Sequence, residues 1–198
     1  MSFSSDIQST FISAAVASAA AISIAAGVGN NAALTLTASP YVTDAARKIT
    51  ITSAGDDDAI SFTIVGLDHL GNAATESLVG ANASASTSVG YWTSITSITA
   101  VGDPAGNVSA GTSNSVAAPI FGGRLRLKGL YAVNTGTAGT ITFRETSPTG
   151  TIRMQFATLG SANSSEYPDV PDDGIVFKDG GYVDYSPVNM SSITVFYA

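Results

Sequence analysis

Residues 47–112 read RKITITSAGDDDAISFTIVGLDHLGNAATESLVGANASASTSVGYWTSITSITAVGDPAGNVSAGT, and the alternation inside that stretch decides the fold. Ile49 and Ile51 alternate with Thr50 and Thr52; Ile60, Phe62 and Ile64 alternate with Ser61 and Thr63; Ile95 and Ile98 sit among Thr93, Thr96 and Thr99. Successive side chains of an extended strand point to opposite faces, so this period marks strands with one buried and one wet face. Turn-forming residues interrupt the runs at short intervals: Gly55-Asp56-Asp57-Asp58, then Gly71-Asn72, then Gly102-Asp103-Pro104-Ala105-Gly106-Asn107. Short amphipathic strands joined by such turns predict an antiparallel, immunoglobulin-like β-sandwich.

Downstream, PIFGGRLRLKGLYAVNTG (119–136) sets Leu125, Leu127 and Leu130 on one strand face and Arg124, Arg126 and Lys128 on the other, a stripe of three cations. Residues 140–144 and 151–156 read as strands joined through Ser147-Pro148-Thr149-Gly150, a strong turn signal. Residues 167–174, with Pro168, Pro171 and adjacent acids, read as a loop; 175–177, 182–185 and 193–197 complete an antiparallel set. Val195, Phe196 and Tyr197 make the last strand apolar, and a contact surface is expected there.

Upstream, residues 11–29 (FISAAVASAAAISIAAGVG) carry no charge. A signal peptide wants Lys or Arg ahead of its apolar run, and residues 1–10 offer only Asp6. Ala interspersed with Ser is driven into lipid far less than Leu or Phe, so a membrane span is not expected either. Two soluble readings stay open: an Ala-rich helix capped by Asp6 or Ser9, or a strand pair broken near Ser18, with Ile22-Ser23-Ile24 favouring a strand in the second half. Residues 31–37, where Leu34 and Leu36 alternate, read as a strand that Pro40 ends.

A chain of 198 residues, 44% of them hydrophobic, is ample for a buried core. Charged residues are only 12%, about half the usual share, and such a surface suits repetitive assemblies in which long charged side chains would have to be desolvated at each contact. A net charge of −7 argues against nucleic acid as a partner, because phosphates demand a field of the opposite sign. The acidity is uneven. Before Ser115 two bases face eight acids, −6; after it six bases face seven acids, −1. That break predicts an N-terminal sandwich domain over 1–115 and a smaller antiparallel β-module over 116–198. The chain has no cysteine, so neither disulfides nor thiolate metal sites contribute.

Two runs carry a resemblance. ITSAGDDDAISFTIVGLDHLGNAATESLVGANAS (51–84), closed by SITSITAVGDPAGNVSAGT (94–112), resembles a small β-domain of structural proteins in tailed bacteriophages. GRLRLKGLYAVNTGTAGTITFRETSPTGTIRMQF (123–156), ending in SSITVFYA (191–198), is similar to the module that follows it in such proteins. The resemblance implies a virion component and carries over no catalytic residue.

Chemistry-bearing patterns are few. Asp56, Asp57 and Asp58 follow Gly55 but lack the glutamate that closes a calcium loop, and a solvated turn is expected. His69 is the only histidine and reads as an exposed turn residue. Glu145 and Glu166 form a conceivable glycosidase pair without any motif. Tyr91 and Trp92 are candidates for stacking on a ligand, with Tyr182 and Tyr185 as further platform positions; core or interface anchoring is the competing role. No catalytic, cofactor or metal site is assigned, and no cofactor is expected. Arg124, Arg126, Lys128, Val195, Phe196 and Tyr197 are the candidate protein-interface residues.

Three function classes remain: a non-enzymatic virion structural protein, a carbohydrate-binding adhesive module, and a depolymerising enzyme. The first is preferred, as a capsid decoration or cement protein on the head surface, with a tail fibre or adaptor as the alternative. Its expected partners are the major capsid protein or another virion protein and further copies of itself in a homotrimer, with neither nucleic acid nor membrane.

Overall fold

The computed structural model describes residues 7–160 and 164–198; Asp6, one of the two proposed helix caps, lies outside them. The chain is all-β, and its strands pair antiparallel. In order they are β1 Gln8–Ile12, β2 Ser23–Gly27, β3 Tyr41–Ser53, β4 Ser61–Asp68, β5 Ala73–Val79, β6 Ala85–Thr87, β7 Trp92–Val101 and β8 Asn107–Phe121. Then come β9 Leu125–Asn134, β10 Gly139–Glu145, β11 Ile152–Thr158, β12 Ser165–Glu166, β13 Ile175–Phe177, β14 Gly181–Tyr185 and β15 Met190–Tyr197. No helix among the described residues is long and apolar enough to cross a membrane.

The chain forms two compact units. One is Ala17–Asn114; the other is Ser115–Ala198 together with the N-terminal residues up to Val16. An N-terminal domain running unbroken from residue 1 to 115 is therefore not what forms, because β1 pairs with β15, Gln8 opposite Tyr197 and Ile12 opposite Ile193. Nor is the C-terminal unit the smaller one; the two are nearly equal in length. Charge balance put the break at 115/116, one residue from the boundary between Asn114 and Ser115, but is blind to which strand a distant segment will pair with.

In the first unit the strand order is β8-β3-β7-β4-β5, with β2 added on β8 and β6 on β3. The thirteen-residue β3 shifts register between Val42 and Arg47, pairing with β7 through its first part and with β6 through Thr50, Ile51 and Thr52. Such an irregularity bends a strand and increases its local twist. Ile49, Ile51, Phe62, Ile64, Ile95, Ile98 and Val108, the inward members of the alternating runs, are fully buried in one core, joined by Ile22. Residues 31–37 form no strand of their own; the isolated bridge from Ala33 to Thr99, with the bonds from Leu34 N to Ile98 O and from Ala100 N to Ala32 O, attaches them to β7, and Asn31 N donates to Gly102 O just beyond it.

Of the two readings of residues 11–29 the structure has the broken strand pair and no helix: β1 ends at Ile12 and the second-half strand is β2, Ser23–Gly27, though the two strands do not pair with each other. β1 joins the second unit, β2 the first, and the chain between turns at Ala19–Ala20. The small side chains have a local reason. A methyl group at Gly111 would fall 2.0 Å from the Ser18 carbonyl oxygen, so the Ala-rich segment lies directly on β8. Thr112 N donates to Ser18 O at 3.0 Å and Ile22 N to Ala110 O at 3.0 Å, and only Gly against Ala and Ser permits this approach.

In the second unit one sheet runs β1-β15-β9-β12 with β13 also on β9, and β11-β10-β14 continues onto the second half of β8. Leu125, Leu127, Leu130, Ile193 and Val195 are buried from the first, and Ile141, Phe143 and Val183 from the second.

Candidate functional site

The register of β1, β15 and β9 decides what the sheet shows outward. Phe11 stands opposite Thr194, and Thr194 opposite Tyr131; Ser9 stands opposite Phe196, and Phe196 opposite Gly129. Cross-strand and diagonal neighbours share a face, so Phe11, Phe196 and Tyr131 form one outward group. Tyr167, on the loop after β12, closes it with its ring centroid 5.0 Å from that of Tyr131. Phe11 and Tyr167 are about two-thirds exposed, 68% and 67%.

The cation stripe lies on the same face. Leu125 and Leu127 are buried while Arg126 and Lys128 point outward, as the alternation requires. β15 pairs Phe196 with Gly129 but Tyr197 with Leu127, leaving Lys128 as an extra residue, a β-bulge. The bulge shifts the period by one, and this is why Leu130 shares the inward side with Leu127 and why Gly129 and Tyr131 continue the outward row. Arg126 Nη1 donates to the carbonyl of Asp173 at 2.6 Å, and Lys128 Nζ to that of Asp172 at 3.1 Å. Together with Arg124, Leu125 and Asp173 they line a cleft of about 480 Å³. The ion pairs found among the described residues, Arg47 with Asp44, Arg144 with Asp184 and Arg153 with Glu145, involve none of the three cations.

The apolar half of the expected interface needs correction. Val195 is 0% exposed and Tyr197 8%, because β15 is an interior strand between β1 and β9 and turns alternate residues into its own core; only Phe196 faces out. Tyr91 and Trp92 are likewise no open stacking platform. Trp92 belongs to the sandwich core at 2% exposure, and Tyr91 is buried with the Lys48 ammonium 5.4 Å from its ring centroid. Tyr182 and Tyr185 are buried on β14. Sequence reading missed Phe11, Tyr131 and Tyr167, whose shared face depends on pairings between distant strands and on the bulge.

The other candidates resolve into structural roles. Asp57 is fully buried, not solvated, and its Oδ1 accepts the Ala105 N–H at 2.7 Å, tying the 55–58 turn to the turn before β8. Glu145 accepts the Lys178 N–H and lies 3.7 Å from Arg153 Nη1, whereas Glu166 accepts from Asn134 Nδ2 and Leu159 N. No hydrogen bond or ion pair among the described residues joins those two glutamates. Asp68, His69, Glu76, Gly90 and Trp92 border a second cleft, of about 400 Å³, on the sandwich. There Glu76 accepts the N–H groups of Val89 (2.7 Å) and Gly90 (3.0 Å), which fixes the loop before β7.

Asp68 holds the β4–β5 turn. Its Oδ1 accepts from Leu70 N at 2.8 Å and Asn72 N at 2.9 Å, spanning Gly71, whose φ of +80° suits glycine. Burial pushes this carboxyl up, but the N–H groups of Asn72 and Leu70 and the charge of His69 outweigh it and hold the group below its ordinary value of 3.8. A depressed carboxylate contributes stability above its unfolded pKa and loses it as pH falls through the folded one. Asp68→Asn is therefore expected to be less stable than the parent at neutral pH, with the gap closing below about pH 4. Urea midpoints measured from pH 7 down to pH 2 would check this; a gap independent of pH would contradict it.

Comparison with protein families and with curated proteins finds no match for this chain.

Proposed function

We propose that the protein is a non-enzymatic structural component of a tailed-bacteriophage virion, a decoration or cement protein seated on the head shell through the outward face of β1, β15 and β9. The observation that carries this reading is the arrangement of that face: Phe11, Phe196, Tyr131 and Tyr167 beside the cations of β9. Aromatic centres with a charged margin are the usual anatomy of protein-binding surfaces. The resemblance of residues 51–84 with 94–112, and of 123–156 with 191–198, to phage structural modules supplies the setting. A cement protein needs many repeated contacts rather than one deep pocket, and a trimeric assembly would multiply weak attachments into avidity.

Co-sedimentation with purified heads tests the assignment. Changing Arg124, Arg126 and Lys128 together to Ser should weaken binding about tenfold or more at low salt, and the parent should lose affinity as salt rises. Cryo-microscopy of particles that shows this chain only in the tail would reject the head, and its absence from particles would reject the structural role. The exposed Tyr131–Tyr167 pair also favours a second reading, an adhesive surface stacking on sugar rings. Binding on a glycan array that is lost in Tyr167→Ala would favour it.

A further inference from the structure

The cleft beside β9 carries an inference that rests on the attachment reading and names the chemistry of the partner. Arg124, Arg126 and Lys128 stand at alternate positions along one edge of chain. Arg126 lies on β9, Lys128 at its bulge and Arg124 just before the strand; two residues of extended chain span about 7 Å, so the three positive positions cover roughly 13 Å. Two of them are held in place. The carbonyls of Asp173 and Asp172 accept from Arg126 and Lys128, and those carbonyls sit in a tight turn closed by Gly174 N to Pro171 O at 2.6 Å. A carbonyl orients a cation without neutralising it, and most of the N–H donors of both side chains remain available.

We infer that this cleft receives an extended acidic peptide segment of the partner protein, with carboxylates at alternate positions matching the three cations. The period is the warrant. The cations recur every second residue in extended chain, and an extended segment repeats its side chains at that same two-residue interval, so Asp or Glu at i, i+2 and i+4 meets all three cations at once. Acids at three consecutive positions turn one of the three away. Leu125 contributes an apolar part to the lining, and Asp173 at the margin disfavours an acid placed out of register.

The test uses the full chain and three probes: a Thr-Asp-Thr-Asp-Thr-Asp-Thr peptide, a peptide of the same composition with its Asp residues consecutive, and inorganic phosphate. Calorimetric titration at low salt is expected to show saturable binding of the alternating peptide, about fivefold or more tighter than the consecutive one, weakening with salt. Binding should fall about tenfold in Arg124→Ser/Arg126→Ser/Lys128→Ser and measurably in Arg124→Ser alone, an exposed side chain whose loss leaves the loop bonds intact. Equal affinity for the two peptides, unchanged binding in the variants, or displacement of the peptide by phosphate at the peptide's own concentration would overturn the inference. Peptide discrimination without particle binding would instead remove the head shell as the partner and leave the cleft's chemistry standing.

Discussion

Phe62→Ala lowers the unfolding free energy by about 3–5 kcal/mol, the expected cost of emptying a buried aromatic site. Phe62 is 0% exposed at the centre of the sandwich core, on the middle strand of the β7-β4-β5 set. Its ring lies close against Gly80, where an added methyl group would come within 3.0 Å of the ring edge. Ile49, Ile51, Ile64 and Ile98, all fully buried, belong to the same core, and Leu78 and Ala100 stand opposite Phe62 on the neighbouring strands. β-Branched side chains have little χ1 freedom, so they do not swing in to fill the space, and the cost falls in the upper part of the usual range. Against a typical domain stability of about 5–15 kcal/mol this removes a large share. The check is equilibrium urea unfolding beside Thr63→Ala on the opposite face of the same strand; similar midpoints for the two variants would mean that Phe62 is not central to the core.

Gly111→Val is expected to detach the segment around Ser18 from β8. The first new carbon would fall 2.0 Å from Ser18 O and 2.5 Å from Ala19 C, which are backbone atoms and can move only with their whole segment. That movement breaks the bonds from Thr112 N to Ser18 O and from Ile22 N to Ala110 O, and draws Ile22 out of the core. Overpacking costs about 1–3 kcal/mol and exposing an isoleucine roughly another 1.5–3. The combined loss is on the order of 3–5 kcal/mol. Amide exchange at Ile22 and Thr112 should accelerate together, and a protease should cut near Ala19. Gly122→Val is the matched control, since nothing lies within 4 Å of an added carbon there. Equal exchange in the two variants would refute the close approach.

Local period carried most of the strand assignments, and its failures have identifiable causes. Ile49, Ile51, Phe62, Ile64, Ile95 and Ile98 face inward as their alternation requires, because each belongs to a strand with one covered face. Residues 31–37 alternate too, but one isolated bridge and a few backbone bonds tie them to β7 without making a strand, and alternation cannot show how far a neighbour will supply a ladder. Ala-rich composition suggested a helix by propensity, yet the governing constraint was the steric opening at Gly111, which lies far away in sequence. Arg47, at the head of the deciding stretch, is 1% exposed, with Nε 2.6 Å from Asp44 and Nη1 donating to the Ser113 carbonyl, and no local pattern announces that burial. Of the candidate interface, the cations were legible because they alternate with leucines. Phe11, Tyr131 and Tyr167 were not, because three separate pairings and a one-residue bulge bring them to one face.

The pairing of β1 with β15 also orders events on the ribosome. Once residue 114 has cleared the exit tunnel, everything the sandwich needs has been made, and it can fold while the rest is still being translated. β1 was synthesised before any of it, yet its hydrogen-bonding partner does not exist until residues 193–197 emerge. At roughly 5–20 residues per second the intervening 80 or so residues take on the order of ten seconds. Throughout that interval β1, with Phe11 and Ile12, waits with its ladder to β15 unmade. β1 is thus among the last strands to be secured, and until then its unpaired edge is open to a chaperone or a neighbouring copy.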